Sequence, residues 1–546
     1  MRRPTTIPAM TAAASERFAE RLAIVDGDAR LSFADLVEAA HTFGAALVAS
    51  GVAPGDRVAI WLFNSVEWVI ALLGVLEIGA VLVPVSTRFK GAEAADILSR
   101  SRARVLVTVT DFLGVDYVAM LEATGAELRD LETSVVARGA APAKAVRWEE
   151  FIGRATPKSR AEVDRRRAAL GPGDPADILF TSGTTGRSKG CVQTHAGTLQ
   201  VATDWAAWTG LTTGDRYLMV NPYFHMFGLK AGILPSIAAG ATMLPEAVFN
   251  VDRVLARIAG EQVTVLPGTP TLFQSILDHP DRARFDLSSL RLATIGGADI
   301  PVELVRRVLD ELPRLTLVSG YGLTEGGTAA GTSPGDDVET IATTVGRARP
   351  GFELRLVDKE GSEVTPGTSG EILLRSGSVM SHYLDDPEAT ALAISPDGWL
   401  RTGDLGVLTE TGRLRIVGRV KDMFIVGGFN AYPAEIENAL LRHPDIRQAA
   451  VIGIPDARLG EVGMAFVVTR PGARISGAEI IEWCRHEMAN YKVPRVVELV
   501  DELPLNASGK VVKDVLRQQA AQRRSRGAAA HLADREAVAR GHCKEG

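Results

Sequence analysis

The segment TSGTTGRSKG, residues 181–190, gathers glycine, hydroxyl and basic residues directly after the apolar run ADILF. Glycine lets a backbone approach an anion closely, while hydroxyl and N–H groups donate to phosphate oxygens. Lys189 supplies a positive charge, and Arg187 is placed to supply another. Because Lys189 follows Ser188 and not glycine, the segment departs from the Walker pattern. It predicts a phosphate-binding loop between a strand and a helical stretch, whereas the alternative is a flexible surface turn.

The segments that must position this loop alternate between helix-like and strand-like patterns. SFADLVEAAHTFGAALVASG predicts a helix with Ser32 as its N-cap and Gly51 at its end. DRVAIWLF, ARVLVTV and ADILFT are short and apolar on both faces. Such segments are typical of parallel strands covered by helices, so the predicted fold class is α/β.

The most apolar run, Val69 to Val85, raises the alternative of a membrane span. Glu77 lies within this run, and Gly79 and Pro84 interrupt it. These residues favour a buried helix followed by a short buried strand, with no stable membrane insertion.

Composition limits the class of protein. The chain has 546 residues, 46% of them hydrophobic and 23% charged, and a net charge of −6. This length suits roughly two to four structural units. The mild acidity disfavours nucleic acid as a partner, because phosphate binding needs clustered Lys and Arg. Cys191, Cys484 and Cys543 lack CxxC spacing, which excludes a zinc site of the usual spacing and suits a reducing cytoplasm. The N-terminal MRRPTTIPAM is followed by no apolar core, so no signal peptide is predicted.

Two segments have a composition typical of connections between structural units. Residues 153–175 are charged and then Gly/Pro-rich, which predicts a surface connection. A boundary near 417–423 precedes about 100 residues of mixed helix and strand, enough for a small domain. The tail lacks apolar periodicity and is predicted to be disordered or a frayed helix. The predicted division is a large domain at 1–418, a hinge at 419–421, a small domain at 422–517 and a tail at 518–546.

The phosphate-loop segment resembles that of the adenylate-forming superfamily, which contains acyl-CoA synthetases, adenylation domains of peptide synthetases and luciferases. Ser188 stands where the family usually has Pro, which alters loop stiffness but not the donors. Further segments resemble other motifs of this family, namely NPYFHMFG at 221–228, IGGAD at 295–299, YGLTE at 321–325, RTGD at 401–404, GRVKDMFIVGGFNAYPAEIE at 418–437 and NASGK at 506–510. The resemblance extends from residue 15 to about 517. It implies a large N-terminal adenylate-forming domain of αβ-layered sheets and a small, mobile C-terminal α+β domain.

The resemblance implies a nucleotide site that binds ATP and AMP. Its implied residues are Thr181, Ser182, Gly183, Thr184, Thr185, Gly186, Lys189, Gly297, Ala298, Gly320, Tyr321, Gly322, Thr324, Asp404, Arg419 and Lys510. The implied metal ligands are Glu325 and Thr184, since a carboxylate with substrate phosphates suits Mg²⁺. The implied catalytic residues are Lys510, Thr324, Glu325 and His225.

Each of these residues also has an ordinary structural interpretation. By resemblance Tyr321 faces adenine, Asp404 accepts bonds from the ribose hydroxyls, and Lys510 stabilises charge as the adenylate forms. Taken alone, Tyr321 would be a core aromatic, Asp404 a turn residue after Gly403, and Lys510 a solvated surface lysine. Glu325 alone would be a surface glutamate at a turn.

The implied acyl pocket is lined by Trp205, His225, Phe227, Gly228, Lys230, Gly296 and Gly326. Small residues recur there, at Gly228, Gly326 and Gly327, which suggests room for a bulky or long apolar acyl group. His225 among aromatic residues has the alternative of a core histidine. Lys230 is an unusual charge in an apolar run, either bonding a substrate ketone or phosphate, or buried as a satisfied or snorkelling lysine.

The implied reaction joins a small carboxylic acid, ATP and coenzyme A, with Mg²⁺ as the metal. The acid and ATP give acyl-AMP and pyrophosphate, and thiol attack then gives acyl-CoA and AMP. A protein nucleophile is not required, which agrees with the lack of a Ser–His or Cys–His signature. By resemblance Lys421 is the hinge between the two steps, and Gly427 and Gly428 approach the CoA channel. Homo-oligomerisation is left open.

Several phrases, among them NPYFHMFGLKAGIL and TVLPGTPTLFQSILDHP, resemble the actinobacterial fatty-acid–CoA ligase subgroup. One branch activates the indane-dione propanoate left by steroid-ring degradation, and this is the preferred acid. The first alternative is a medium- or long-chain fatty acid. The second is an acyl-AMP ligase that loads a carrier protein, although such relatives carry an insertion before the hinge that this chain lacks. A non-catalytic nucleotide-binding protein is disfavoured because Lys510, Glu325 and Asp404 are all present.

Overall fold

The computed structural model describes residues 4–181, 188–297, 300–505 and 511–523, except the side chain of residue 430. The chain divides into two units. The first unit comprises Met1–Thr368, Ile372–Thr402 and Leu408–Arg415, and the second comprises Ser369–Glu371, Gly403–Val407 and Ile416–Gly546. The domain limits given above, including the hinge at 419–421, stay predictions.

One sheet of the first unit holds the arms of the phosphate-loop segment. Its strand order is β19-β9-β8-β4-β3-β5-β6-β7. The bounds are β3 Arg57–Ile60, β4 Val81–Pro84, β5 Ala103–Val109, β6 Thr133–Arg138, β7 Val146–Arg147, β8 Pro175–Thr181, β9 Lys189–Thr194 and β19 His382–Tyr383. The strands from β8 to β7 are parallel, whereas β9 is antiparallel to both β8 and β19. The α/β prediction for this region is therefore confirmed.

A second sheet of the first unit has the order β16-β15-β14-β13-β12-β10-β11-β1-β2. Its bounds are β1 Leu22–Asp26, β2 Ala29–Ser32, β10 Arg216–Met219, β11 Thr242–Pro245, β12 Val265–Gly268, β13 Leu292–Ile295, β14 Thr316–Leu323, β15 Gly327–Gly331 and β16 Arg347–Ala348. A further sheet has the order β17-β18-β20-β21, with β17 Glu353–Val357, β18 Ser369–Arg375, β20 Leu400–Leu408 and β21 Leu414–Arg419.

The helices of the first unit lie between these strands in sequence. Their bounds are α1 Ile7–Phe18, α2 Phe33–Ala49, α3 Val66–Glu77, α4 Gly91–Ser101, α5 Tyr117–Glu122, α6 Trp148–Ile152, α7 Pro157–Ala169, α8 His195–Thr209, α9 Met226–Gly228, α10 Leu234–Ala239, α11 Val251–Glu261, α12 Pro270–Leu277, α13 Val302–Glu311, α14 Val338–Thr343 and α15 Pro387–Ala393. A π-helical turn at Leu229–Ile233 links α9 to α10, and a 3₁₀ turn lies at Arg282–Arg284.

Two local predictions from the sequence are confirmed. Helix α2 begins after Ser32, whose hydroxyl accepts from the Asp35 amide in a capping box. The apolar run forms the buried helix α3 and the buried strand β4. Within the described residues, no helix is long and apolar enough to cross a membrane.

One other expectation needs correction. The phosphate-loop segment does not lead directly into a helix, because the strand β9 lies between it and α8. The sequence KGCVQT pairs antiparallel with β8, with a register shift between Pro175 and Asp177, so β8 and β9 are the two arms of a hairpin. The predicted surface connection at 153–175 is mostly exposed, and it contains the helix α7, capped by Thr156, in which only Ser159 and Val163 are buried.

The second unit is a mixed helix and strand assembly. Its five-stranded sheet, counted over the described residues, has the order β23-β22-β25-β24, and β26 pairs with β25. The bounds are β22 Phe424–Val426, β23 Phe429–Ala431, β24 Ile446–Asp456, β25 Gly460–Thr469 and β26 Val496–Leu499, with helices α16 Pro433–Leu440 and α17 Gly477–Glu487. A last helix covers 513–523 and buries Leu516 and Ala520, so helical structure continues past the predicted tail boundary at 517.

Candidate active site

The base of the phosphate-loop segment is formed by Thr181 and Lys189, which are register partners at the loop end of the β8–β9 hairpin. Both side chains are partly exposed there. The predicted phosphate-binding residues between them lie outside the described residues, namely Ser182, Gly183, Thr184, Thr185 and Gly186. Ala298 and Lys510 also lie outside the described residues. The structure therefore describes the base of the loop and the side chains around that base.

Glu325 lies at this base, next to a residue that the sequence did not single out. The Tyr383 hydroxyl donates to Glu325 Oε1 at 3.1 Å, and Thr181 Oγ1 lies 3.5 Å from the same oxygen. Burial first, and then the charge of Glu325, raise the pKa of Tyr383, so the phenol stays protonated and donates. The Lys189 ammonium lies 5.0 Å from the centroid of the Tyr383 ring. Thr181, Lys189, Glu325 and Tyr383 are called the loop-base cluster below.

Tyr383 reaches this cluster because of the two-residue strand β19. Tyr383 is the register partner of Cys191 on β9, and the Leu384 amide donates to the Gly190 carbonyl at 2.7 Å. The Tyr383 amide donates to Thr390 Oγ1 at 2.9 Å. No spacing in the sequence connects residue 383 with residue 325, because the two are joined by tertiary structure alone.

The YGLTE segment forms the end of β14 and the turn to β15. The register shifts between Tyr321 and Gly322, and such bulges redirect side chains beside functional sites. A Cβ on Gly322 would lie 2.6 Å from the Gly327 carbonyl oxygen, so glycine is required there by backbone packing. The Thr324 carbonyl accepts from Gln193 Nε2 at 3.2 Å, which ties this turn to β9.

Gly296 and Gly297 follow β13, next to the strand that carries Gly320. The register pairs Ile295 with Ser319, which brings the ends of β13 and β14 side by side. Gly297 is exposed with φ +83°, a left-handed conformation that favours glycine. A Cβ on Gly296 would meet only the Gly320 carbonyl oxygen, at 3.5 Å. Gly296 is buried and Gly297 is exposed, so the exposed backbone after β13 begins at Gly297, beside the strand that carries Gly320 and Tyr321.

The predicted acyl residues Trp205 and Phe227 do come together. Their rings lie 5.6 Å apart in an edge-to-face arrangement. His225 caps the short helix α9, and its Nδ1 accepts from the Phe227 amide at 3.2 Å, which places the proton of a neutral ring on Nε2.

The preceding backbone of the NPYFHMFG segment is held by the buried Asn64. Asn64 Nδ2 donates to the carbonyls of Met219 and Asn221, both at 2.9 Å. Its Oδ1 accepts from the Tyr223 amide at 2.8 Å. One amide side chain from the turn after β3 thus fixes the segment that leads to His225, a role that no sequence pattern indicated.

At Gly228, Gly326 and Gly327 the protein itself fills the space that a side chain would take, so the missing side chains are not by themselves evidence of room for an acyl group. A Cβ on Gly228 would collide with the Pro222 carbonyl oxygen. A Cβ on Gly326 would be crowded by leucine side chains at 3.1–3.4 Å, and a Cβ on Gly327 would lie 2.5 Å from Val201 Cγ2. These glycines are needed for close packing of the protein with itself.

Lys230 lies on the π-helical turn, and its ion-pair partner is another buried side chain of the protein. Its Nζ lies 2.9 Å from Asp177 Oδ1 on β8, and both side chains are 2% exposed. Asp177 Oδ2 accepts from Thr198 Oγ1 of α8 at 2.6 Å. The assignment of Lys230 as an acyl-pocket residue that bonds substrate is therefore not supported. The structure favours the alternative of a satisfied buried lysine.

The loop-base cluster fits a cation that is shared with a ligand. Among the described residues, no group of three or more His, Cys, Asp or Glu side chains could form a protein-only metal site. Glu325 offers one carboxylate with one oxygen already fixed by Tyr383. This donor set matches Mg²⁺, which binds through one or two carboxylates together with phosphate oxygens and water.

The described cysteines are structural. Cys191 lies on β9 and is buried, and burial raises the pKa of its thiol well above the usual value. Burial likewise raises the pKa of Cys484 to about 11. Neither thiol has the exposed, low-pKa environment of a nucleophile.

In the second unit, Asp404 and Arg419, which were each predicted to contact ribose, lie close together. Arg419 Nε lies 3.0 Å from Asp404 Oδ1, and the carboxylate is buried while the guanidinium is half exposed. Lys421 is exposed in the turn after β21, where the Asp422 and Met423 amides donate to the Arg419 carbonyl. Arg517 of the last helix binds Asp422 at 2.6 Å.

Gly427 and Gly428 form the tight turn between β22 and β23. Their φ angles are +57° and +90°, as a two-residue hairpin turn requires. Both residues are exposed, and the Gly427 amide donates to the Leu459 carbonyl at 2.9 Å. The turn is thus an exposed backbone surface, which is compatible with the predicted approach to CoA.

Family models match both parts of the chain. The model described as AMP-binding enzyme matches residues 11–384, and the model described as AMP-binding enzyme C-terminal domain matches residues 435–510. The chain therefore belongs to the AMP-binding enzyme family, and the adenylate-forming fold expected from its motifs is confirmed.

Particular relatives are similar over nearly the whole chain. A 3-[(3aS,4S,7aS)-7a-methyl-1,5-dioxo-octahydro-1H-inden-4-yl]propanoyl:CoA ligase of Rhodococcus jostii is 47% identical over 520 residues, covering 94% of this chain and 99% of the relative. A ligase of the same name from Mycobacterium tuberculosis is 47% identical over 514 residues, covering 94% and 98%. The crystal structure of an anthranilate CoA ligase in complex with anthranoyl-AMP superposes with a TM-score of 0.87 at 28% identity, covering 95% of this chain and 98% of that one.

Proposed function

We propose that this chain is an ATP-dependent, AMP-forming acid–CoA ligase whose preferred acid is the indane-dione propanoate left by steroid-ring degradation. The observation that carries the proposal is the 47% identity to a ligase for that acid across 99% of the relative's length. Its substrates are the acid, ATP and coenzyme A, and its metal is Mg²⁺. The reducing cytoplasm is the proposed compartment.

In the first half-reaction, a carboxylate oxygen of the acid attacks the α-phosphorus of ATP, and the bond to pyrophosphate breaks. The residues at the base of the β8–β9 hairpin, Thr181 and Lys189, bind phosphate oxygens. Glu325 holds Mg²⁺, which neutralises charge on those oxygens when bound. Tyr321 stacks on adenine, and Asp404 with Arg419 binds the ribose. The proposal also includes loop residues 182–186 and Lys510, which lie outside the described residues.

In the second half-reaction, the sulfur of coenzyme A attacks the acyl carbon, and AMP leaves. The coenzyme A thiol is itself the nucleophile and its proton passes to solvent, so no protein nucleophile is needed. The raised pKa of the buried Cys191 supports this, because that thiol stays protonated beside the loop. Lys421 is the proposed hinge, and the Gly427–Gly428 turn is the proposed contact for the pantetheine arm.

The test is a thioester assay with purified protein, Mg²⁺, ATP and CoA, read by mass spectrometry. The acids are the indane-dione propanoate, C4–C18 fatty acids and aryl acids. We expect the CoA thioester and AMP to form with the indane acid in preference to the others. Glu325→Gln should abolish formation of the adenylate, whereas Glu388→Gln, at an exposed position on α15, should leave it unchanged.

The outcomes separate the parts of the proposal. A preference for straight-chain acids would refute the substrate and leave the ligase activity. Accumulation of acyl-AMP with no thioester for any acid would refute the ligase and favour transfer to a carrier protein.

A further inference from the structure

We propose that Tyr383 is a positioning residue for the metal ligand Glu325, holding one carboxylate oxygen so that the other faces the cation. This inference rests on the proposed function, since it assigns Glu325 to Mg²⁺. Its direct observation is the hydrogen bond from the Tyr383 hydroxyl to Glu325 Oε1 at 3.1 Å. A ligating carboxylate that is held by a second hydrogen bond loses less freedom when the metal binds.

The segment that carries Tyr383 fixes Glu325 at two points. The Met380 amide donates to the Glu325 carbonyl at 2.7 Å, so the backbone of the glutamate is held by the same short segment. The hydroxyl of Tyr383, three residues later in that segment, then holds the side chain. The main chain and the carboxylate of Glu325 are therefore both held by the segment 380–383.

That element is also part of the phosphate-loop sheet. The amides of Ser381 and Leu384 donate to the carbonyls of Val192 and Gly190 on β9, at 2.8 and 2.7 Å. Strand β9 begins at Lys189, the register partner of Thr181. The position of Glu325 is thereby tied to the arm of the loop that is proposed to bind the phosphates of the same nucleotide.

The ring of Tyr383 has a second role in the same place. The Lys189 ammonium lies 5.0 Å from the ring centroid, within the range of a cation–π interaction. The Tyr383 hydroxyl thus orients the Glu325 carboxylate, while the face of its ring interacts with the Lys189 ammonium. Tyr383→Phe removes only the hydroxyl and keeps the ring beneath Lys189, so it isolates the bond to Glu325.

The test compares two probes by isothermal titration calorimetry on the full chain. The first is the magnesium complex of ATP with a methylene bridge between its α and β phosphates, and the second is AMP without metal. We expect Tyr383→Phe to weaken binding of the magnesium complex by about 10- to 100-fold, as for other residues that support a metal ligand. Binding of AMP should be unchanged.

Tyr117→Phe is the matched control. Tyr117 is also buried, its hydroxyl donates to the Thr87 carbonyl at 2.8 Å, and it lies on α5, outside the proposed site. It should leave the affinities for both probes unchanged. In a Glu325→Gln background, Tyr383→Phe should add little further loss, because two residues that act through one bond are not additive.

Equal weakening of both probes by Tyr383→Phe would indicate a general structural role and overturn the inference. Unchanged affinity for the magnesium complex would also overturn it, with the proposed function intact. If the wild-type protein bound neither probe, the proposed function itself would fail together with this inference.

Discussion

Breaking the buried ion pair between Lys230 and Asp177 is expected to destabilise the first unit strongly. Replacing Lys230 with Met keeps most of the apolar stem but removes the ammonium that lies 2.9 Å from Asp177 Oδ1. Because both side chains are only 2% exposed, the carboxylate cannot recover its hydration in the folded state. Removal of one partner from such a pair costs about 3–5 kcal/mol.

The remaining contact of Asp177 cannot offset this loss. Thr198 donates one hydrogen bond to Oδ2 at 2.6 Å, and a bond to a charged group contributes about 1.5–3 kcal/mol. That bond is present both before and after the substitution, so it does not replace the ammonium. Asp177→Asn in addition to Lys230→Met removes the unpaired charge, keeps an acceptor for Thr198 and is expected to recover most of the stability.

The assay is guanidinium-induced unfolding followed by tryptophan fluorescence, in which Trp205 and Trp208 report on α8 next to the pair. The double-mutant cycle compares wild type, each single variant and the double variant. Lys158→Met, an exposed lysine on α7, is the control and should change the free energy of unfolding by no more than about 0.5 kcal/mol. Additive costs of the two single variants would refute the coupling.

Three further changes have defined outcomes. His195 is fully buried, and burial lowers its pKa to about 4 from 6.5. The free energy of unfolding should therefore fall as the pH drops from 6.5 towards 4, by up to about 3 kcal/mol. His195→Leu should flatten the pH dependence of unfolding in this range, and a slope equal to that of the wild type would contradict this. Lys421→Pro should preserve pyrophosphate release and suppress acyl-CoA formation, whereas equal loss of both in separate assays would exclude the hinge role. Gly228→Ala should destabilise the protein by about 1–3 kcal/mol in a denaturant titration, because its Cβ would collide with the Pro222 carbonyl oxygen. Gly260→Ala is the control and should not destabilise it, because a Cβ there has no neighbour within 4 Å. Equal stability of the two variants would argue against the packing role.

Local patterns allowed much of the fold to be predicted. Ser32 with Asp35 before an apolar run predicts the start of α2, because the capping bonds lie within four residues. The buried strands β3, β5 and β8 were visible as short apolar segments. The hairpin arm β9 was missed because KGCVQT is short and mixed in polarity, and its pairing with β8 decides its conformation.

The parts of the site that escaped prediction depend on residues that are distant in sequence. Tyr383 lies 58 residues from Glu325, and nothing in the local sequence connects them. Asp177 and Asn64 are likewise joined to the acyl segment only by tertiary contacts. Gly228 was misread because composition shows that a side chain is missing but not whether the protein itself fills the space.

The shortness of β19 also bears on whether the edge of this sheet can pair with a strand of another chain. Strand β9 would otherwise present a row of unsatisfied amide and carbonyl groups at the rim of its sheet, a template on which another chain could add a strand. Two residues, His382 and Tyr383, occupy that rim, and Pro387 starts a helix soon afterwards. His382 and Tyr383 thus cover the edge of β9 with a strand too short to pair extensively with another chain, and Tyr383 in addition supports the proposed nucleotide site. Local unfolding of β19 should cause loss of nucleotide binding and self-association together. Light scattering during thermal inactivation should therefore rise in step with the loss of nucleotide binding.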